Sequence, residues 1–216
     1  MLMTDTTPPA PQIDADFLEI LNSDRVSERT RAIMATRAKA DDPDYAPRYF
    51  SSEAFAVLQA LFARVLPQEV VLGAARIDLA ARLDQRLSGP GDGWRFAFLP
   101  SDAEAYRQGL SILNGAAQAR FGHDFAAISE ARQDELLHAI DAGALEAKAW
   151  NAQQLSAWFS DVRADAVQLF ISHPAVQGRL GISAIANGGD GFFQGFTAMG
   201  EGVREAWEPV RAGDEA

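Results

Sequence analysis

The feature that most constrains this chain is a long amphipathic stretch, Asn151 to Ser172. In it Leu155, Trp158, Phe159, Val162, Ala166, Leu169 and Phe170 recur at the helical period. The reading is one long helix, stopped by Pro174. A helix with a broad apolar face gains most of its stability from whatever covers that face. The chain must therefore supply other helices with matching faces, and the same periodicity recurs along most of its length.

Ser51 is a good N-cap for Phe55, Leu58, Leu61, Phe62, Val65 and Leu66, a run that Pro67 ends. Ala74 to Leu87 reads as a further helix, broken by the loop Ser88 to Gly93. Ser101-Asp-Ala-Glu104 has the form of a capping box and opens a helix carrying Tyr106, Leu110, Leu113, Ala117 and Phe121, with Gly122 as its stop. Ser129 to Asp141 turns Leu136, Leu137 and Ile140 inward, and Gly143 closes it. The alternating aromatic stretch Trp94 to Leu99 lacks a partner strand and is read as an irregular segment on the core. Strand signals are nearly absent. The fold class expected is all-α, an irregular helical bundle with an N-terminal helical arm and a glycine-rich C-terminal loop region.

The expected divisions are an arm over residues 1–50, a helical domain over 51–208 and an acidic tail over 209–216. Within the arm, Ile13 to Leu21 reads as a short apolar-faced helix and Asp24 to about Lys39 as a mostly polar one. Pro43 and Pro47 then prevent a continuous helix. Sequence leaves two states open for the arm: docked on the domain or a partner, or frayed.

Composition removes several function classes. The 30 Asp plus Glu outnumber the 19 Lys plus Arg, for a formal net charge of −11, and no basic cluster stands out. Nucleic-acid binding, which draws its affinity from clustered positive charge, is not expected. The chain has no cysteine, which removes disulfides, thiolate metal sites and thiol nucleophiles together. No stretch is apolar enough for a membrane span. Met1 to Gln12 is polar and proline-rich, without the pattern of a secretory or twin-arginine signal.

Candidate chemistry is sparse. His123, His138 and His173 are scattered; His138 follows Asp134 and Glu135 by about one turn, which allows a carboxylate–histidine pair but supplies no convergent metal set. His173 is read as a structural residue at a helix end. Asp161 and Asp165, four apart, share a helix face, so a stand-alone enzyme using Asp161, Asp165 or Glu135 for acid–base work is one reading. The neighbouring Arg163 favours a solvated polar face instead. Gly188-Gly-Asp-Gly191 lacks the strand–turn–helix setting of a phosphate loop, so its glycines are read as permitting tight turns and close backbone approach. No catalytic, cofactor-binding or metal residue is expected in this chain.

The order of these blocks resembles the gluconate 2-dehydrogenase subunit 3 family. The resemblance rests on Phe55 to Pro67, the loop Gly89 to Gly93, Tyr106 to Leu113 and Phe121-Gly-His-Asp-Phe125. It continues through Gln133 to Ile140, Trp158 to Arg163 and His173 to Gly178, covering about residues 50 to 200. It implies a non-catalytic accessory subunit that stabilises, matures or helps export an FAD-dependent flavoprotein of the glucose–methanol–choline type. That partner oxidises a sugar, sugar acid or alcohol, and a multihaem cytochrome c subunit often joins it. FAD is expected in the partner, not in this chain. Two alternatives remain: a transient assembly chaperone of that flavoprotein, or the stand-alone enzyme above.

Family members commonly carry a twin-arginine signal, which this N-terminus lacks. The expected location is periplasmic with the partner, or cytoplasmic. After Pro174 the family usually shows a Tyr-Gly-Gly-Asn-like segment and a tryptophan, where this chain has Ala175 to Arg179 and Gly181 to Ile185. A subunit interface needs exposed aromatic groups, and the candidates are Trp94, Phe96, Phe98, Phe192, Phe193 and Phe196. For the last three the alternative is that they fill their own domain's core.

Overall fold

Helices form wherever an apolar period coincides with a residue able to satisfy the first free amides. A computed structural model describes residues 8–89, 95–182, 184–191, 195, 198 and 200–205, and among them there is no strand. The helices are α1 (Ala15–Asn22), α2 (Glu28–Arg37), α3 (Ser52–Val65), α4 (Glu69–Leu72), α5 (Leu79–Leu87), α6 (Asp102–Phe121), α7 (Glu130–Asp141), α8 (Ala152–Ile171) and α9 (Pro174–Leu180). A 3-10 turn spans Phe125–Ala127. The all-α expectation is met. The helices group into two units. One contains residues 42–67 and 78–169; the other contains 8–41, 68–77 and the described residues from 170 onward.

In the first unit α3 lies against α5, α6, α7 and the 3-10 turn. Ser51 Oγ accepts from the Ala54 amide at 3.2 Å and starts the helix. Phe55, Leu58, Leu61 and Phe62 then face inward and are buried. The 3-10 turn has its backbone satisfied by two buried amides. Asn114 Oδ1 accepts from Phe125 N at 2.8 Å, and Gln133 Nε2 donates to Phe125 O at 2.8 Å. Long helices α6 and α8 approach closely at Gly109, where a Cβ would lie 2.1 Å from Trp158 Cε2. The absent side chain makes room for a fully buried indole.

A second buried polar anchor fixes the segment before α3. The Asp84 carboxylate in α5 is inaccessible to solvent. Its Oδ2 accepts from Tyr45 OH at 2.6 Å and Arg48 N at 2.7 Å, and its Oδ1 from Tyr49 N at 3.0 Å and Phe50 N at 2.9 Å. Burial by itself would push this carboxyl up. The Tyr45 hydroxyl and the three amides outweigh that cost and hold it below the ordinary carboxylate range.

In the second unit α9 lies against α1 and α4. Phe17, Leu21, Val26, Met34, Ile185 and Ala186 form one buried cluster. The N-terminal helices are therefore packed, and they are packed with residues from the far end of the chain. Gly188 and Gly189 donate to Arg25 O at 3.0 and 2.8 Å, while Asp190 accepts from Glu28 N at 2.8 Å. Gly189 has φ +69°, and a Cβ there would sit 2.0 Å from Asp24 O. Gly189 makes the close backbone approach read for this stretch, whereas a Cβ at Gly191 would meet nothing within 4 Å.

Several boundaries differ from the sequence reading, each for a local reason. Helix α2 starts at Glu28 rather than near Asp24, because Ser27 caps it by accepting from Thr30 N. Helix α5 starts at Leu79 rather than Ala74: Asp78 caps Ala81 N, and the Gln68 side chain takes both backbone groups of Ile77. The capping box at Ser101 does not form. Ser101 holds the N-cap position without a side-chain bond, and Glu104 turns instead to Arg107 and Gln108. Pro174 does not merely stop α8; it is the first residue of α9, and His173 caps that helix by accepting from Ala175 N through Nδ1 at 3.2 Å.

Candidate functional site

Of the six aromatic residues expected at an interface, Phe96 and Phe98 are described; Trp94, Phe192, Phe193 and Phe196 lie outside the described residues. Phe96 and Phe98 belong to neither helix nor strand. Their ring centroids are 5.5 Å apart and tilted by 34°. Phe98 is 45% exposed and is the aromatic ring among the large hydrophobic side chains exposed in the described residues, whereas the next residue, Leu99, is buried. The segment is pinned. Leu99 N donates to Phe96 O at 3.0 Å, and Gln154 Nε2, from α8, donates to Phe98 O at 3.1 Å.

Ahead of the two rings, Arg95 reaches Asp161 and Asp165 of α8. Asp165 is the centre of this arrangement. Arg86 grips it with two bonds of 2.9 and 2.7 Å, Tyr106 OH donates at 2.8 Å, and Arg95 adds a further short contact. The carboxylate is fully buried, which would raise its pKa, but the two guanidiniums and the phenol bring it below the ordinary range. Tyr106 moves the other way: burial and the adjacent carboxylate raise it well above a normal phenol. Asp161 is raised, chiefly by burial, with Arg95 opposing.

These facts correct the reading of Asp161 and Asp165 as a solvated polar face. Asp165 is buried because its partners come from 59 to 79 residues earlier in the chain, which a helical pattern does not reveal. Nor do the two carboxylates form a proton-sharing pair, since both Asp165 oxygens are occupied by arginine and tyrosine donors. Arg163 turns away, pairing with Asp141 at 3.1 Å and lying 4.8 Å over the Phe159 ring. Glu135, the third acid–base candidate, pairs with Arg120.

His138 lines a cavity of about 330 Å³ with Arg64, Asp134, Asp141, Phe159 and Arg163. Asp134 is held by Arg64 through two 2.8 Å bonds, and Glu130 joins at 2.6 Å. Among the described residues no group of three or more His, Asp or Glu could hold a metal ion, and no helix is long and apolar enough to cross a membrane. A larger hollow of about 550 Å³ lies between α3 and α6 and is lined by Glu53, Arg107, Ser111, Asn114 and Gln118, with Tyr49 at its edge. Two pairs of its polar groups bond each other: Asn114 donates to Glu53, and Arg107 to Tyr49 OH.

Residues 52–189 match the family described as gluconate 2-dehydrogenase subunit 3, so the match covers more than half of the chain and includes α3 through α9. No curated protein and no solved structure matches the chain significantly.

Proposed function

The chain belongs to the gluconate 2-dehydrogenase subunit 3 family, and from that membership we propose that it is a non-catalytic small subunit that binds and stabilises an FAD-dependent dehydrogenase. The flavin and the redox chemistry reside in the large partner. This chain contributes surface. The observation that carries the reading is Phe98, an exposed aromatic ring seated on Phe96 and held to α8 through its own carbonyl. Aromatic anchors of this kind dominate interface energetics when they enter a partner's pocket. The glycine-rich stretch with Phe192, Phe193 and Phe196 is proposed as a second contact. The carboxylates also support the reading, because Asp84, Asp165, Asp134 and Glu135 are each committed to internal partners.

The test is co-purification from the native host, with the visible spectrum of the eluate recorded. A stoichiometric large partner with flavin absorbance near ~450 nm is expected. Phe98→Ser is expected to weaken that partner's retention about 30-fold while leaving the helical circular dichroism unchanged. A partner retained only in flavin-free form would replace the subunit reading with that of an assembly chaperone. A colourless monomer would refute both.

A further inference from the structure

The Asp165 carboxylate is met by two guanidiniums, although one would neutralise it. Arg86 already supplies a two-bond grip and Tyr106 a third donor, so Asp165 is neutralised and hydrogen-bonded without Arg95. Arg95 is nevertheless drawn to it, and to Asp161 as well. What Arg95 adds is position. It is the residue immediately before the Phe96–Phe98 pair, in a segment with no helix or strand to hold it.

Residues 95–99 are fastened at three places: the Arg95 guanidinium on α8, the Phe98 carbonyl on Gln154, and the buried Leu99 side chain. Phe98 is left facing solvent between these fastenings. Burying Leu99 serves folding. Immobilising an exposed phenylalanine does not, since ordering a residue costs about 1–2 kcal/mol of backbone entropy and an exposed ring returns little of it. The arrangement makes sense for a ring whose order is needed before it is covered.

We propose that Arg95 is a positioning residue for partner docking: its ion pairs with Asp165 and Asp161 hold Phe96 and Phe98 ready to enter an apolar pocket on the flavin-bearing subunit. The inference rests on the subunit reading above and adds to it which ion pair sets the docking affinity. Arg95 itself need not touch the partner. The fastening acts by removing the loop's freedom before binding, so its loss should raise the dissociation rate and leave the contacts of other surfaces unchanged.

The experiment uses the full chain and the separately purified FAD-dependent dehydrogenase subunit of the same host. Affinities are measured for wild type, Arg95→Met, Phe98→Ser and the double variant, with Tm recorded for each. Hydrogen exchange of the 96–99 amides is followed in the unbound chain. Arg95→Met is expected to weaken binding about tenfold in the wild-type background and less than about twofold in the Phe98→Ser background, because a positioning residue acts only through the ring it positions. The 96–99 amides should exchange about tenfold faster in unbound Arg95→Met, with the α6 and α8 amides unchanged. Arg95→Lys retains the charge but not the fork that reaches two carboxylates, and should fall between wild type and Met.

Additive losses in the double variant, or unchanged exchange at 96–99, would overturn the inference while leaving the subunit reading intact. If both Arg95 variants unfold the chain, the ion pair is a folding element and the inference is equally wrong. Wild type that fails to bind the flavoprotein at all would remove the subunit reading itself; the exchange result still reports whether Arg95 orders the loop.

Discussion

Replacing Asp84 by asparagine should cost this protein far more than its single-atom change suggests. The carboxylate accepts four hydrogen bonds in a site closed to water. Asparagine offers one acceptor oxygen and one NH2 group. The best orientation gives the oxygen to the Tyr49 and Phe50 amides and points the NH2 at Tyr45 and Arg48. The Tyr45 hydroxyl can rotate to accept, but the Arg48 amide cannot. One charge-assisted bond is lost and a buried donor is stranded, worth about 1.5–3 kcal/mol; the two retained amide bonds lose their charge assistance, about 0.5–1 kcal/mol each. The sum, about 2.5–5 kcal/mol, corresponds to a Tm lower by roughly 10 °C for a chain of this size.

Differential scanning calorimetry at neutral pH checks the size, and the same melts in acid check the cause. Because the folded Asp84 carboxyl is depressed below its unfolded value, its contribution is fully present above the unfolded pKa, about 3.9, and is lost as pH falls through the folded one. The gap between wild type and Asp84→Asn should therefore hold constant from neutrality to about pH 5 and narrow below about pH 4. A Tm difference within about 1 °C at neutral pH, or one that widens in acid, would refute the account of Asp84 as a charged anchor.

Three further outcomes follow from close contacts and ion pairs. Gly109→Ala drives a methyl into the Trp158 indole and should cost about 2–3 kcal/mol, read as a lower Tm together with a changed near-ultraviolet tryptophan signal. Gly189→Ala both strains a left-handed backbone and pushes a methyl into Asp24 O, so it should open the clip between residues 188–190 and 25–28, seen as faster proteolysis near α2 with the 42–169 helices still protected. Arg64→Ala removes the pairings with Asp134 and Glu130, which are partly exposed, and should change stability by no more than about 1 kcal/mol, less at high salt.

Local signals in the sequence carried most of the helices and little of the polar architecture. Ser51, Gly122 and the face of α8 act within a few residues of themselves, so a linear pattern displays them. Pro174 was ambiguous in kind, since proline ends one helix and opens the next with the same geometry. Asp78 and Ser27 were stronger helix starters than the periodicity upstream of them, which shortened α5 and α2. The ion cluster was invisible because Asp165 becomes a buried hub only through Arg86, Arg95 and Tyr106, none of which is near it in sequence. Asp84 gave no sign of its role either; its four donors lie 34 to 39 residues away and three of them are backbone groups, which no residue type announces. The aromatics proposed for an interface were legible as residue types, and of the described pair Phe98 is the exposed one.

The clip that joins Gly188, Gly189 and Asp190 to Arg25 and Glu28 has a consequence for biosynthesis. The Glu28–Asp190 bond spans 162 residues, so α1 and α2 emerge from the ribosome long before their closing partners exist. At about 5–20 residues per second they wait roughly 10–30 s with Phe17, Leu21 and Met34 uncovered. The stretch from 42 to 169 is complete sooner, interrupted only by residues 68–77. Helices α1 and α2 are thus made well before they can be finished, and throughout that interval the nascent chain presents the apolar surface that molecular chaperones recognise.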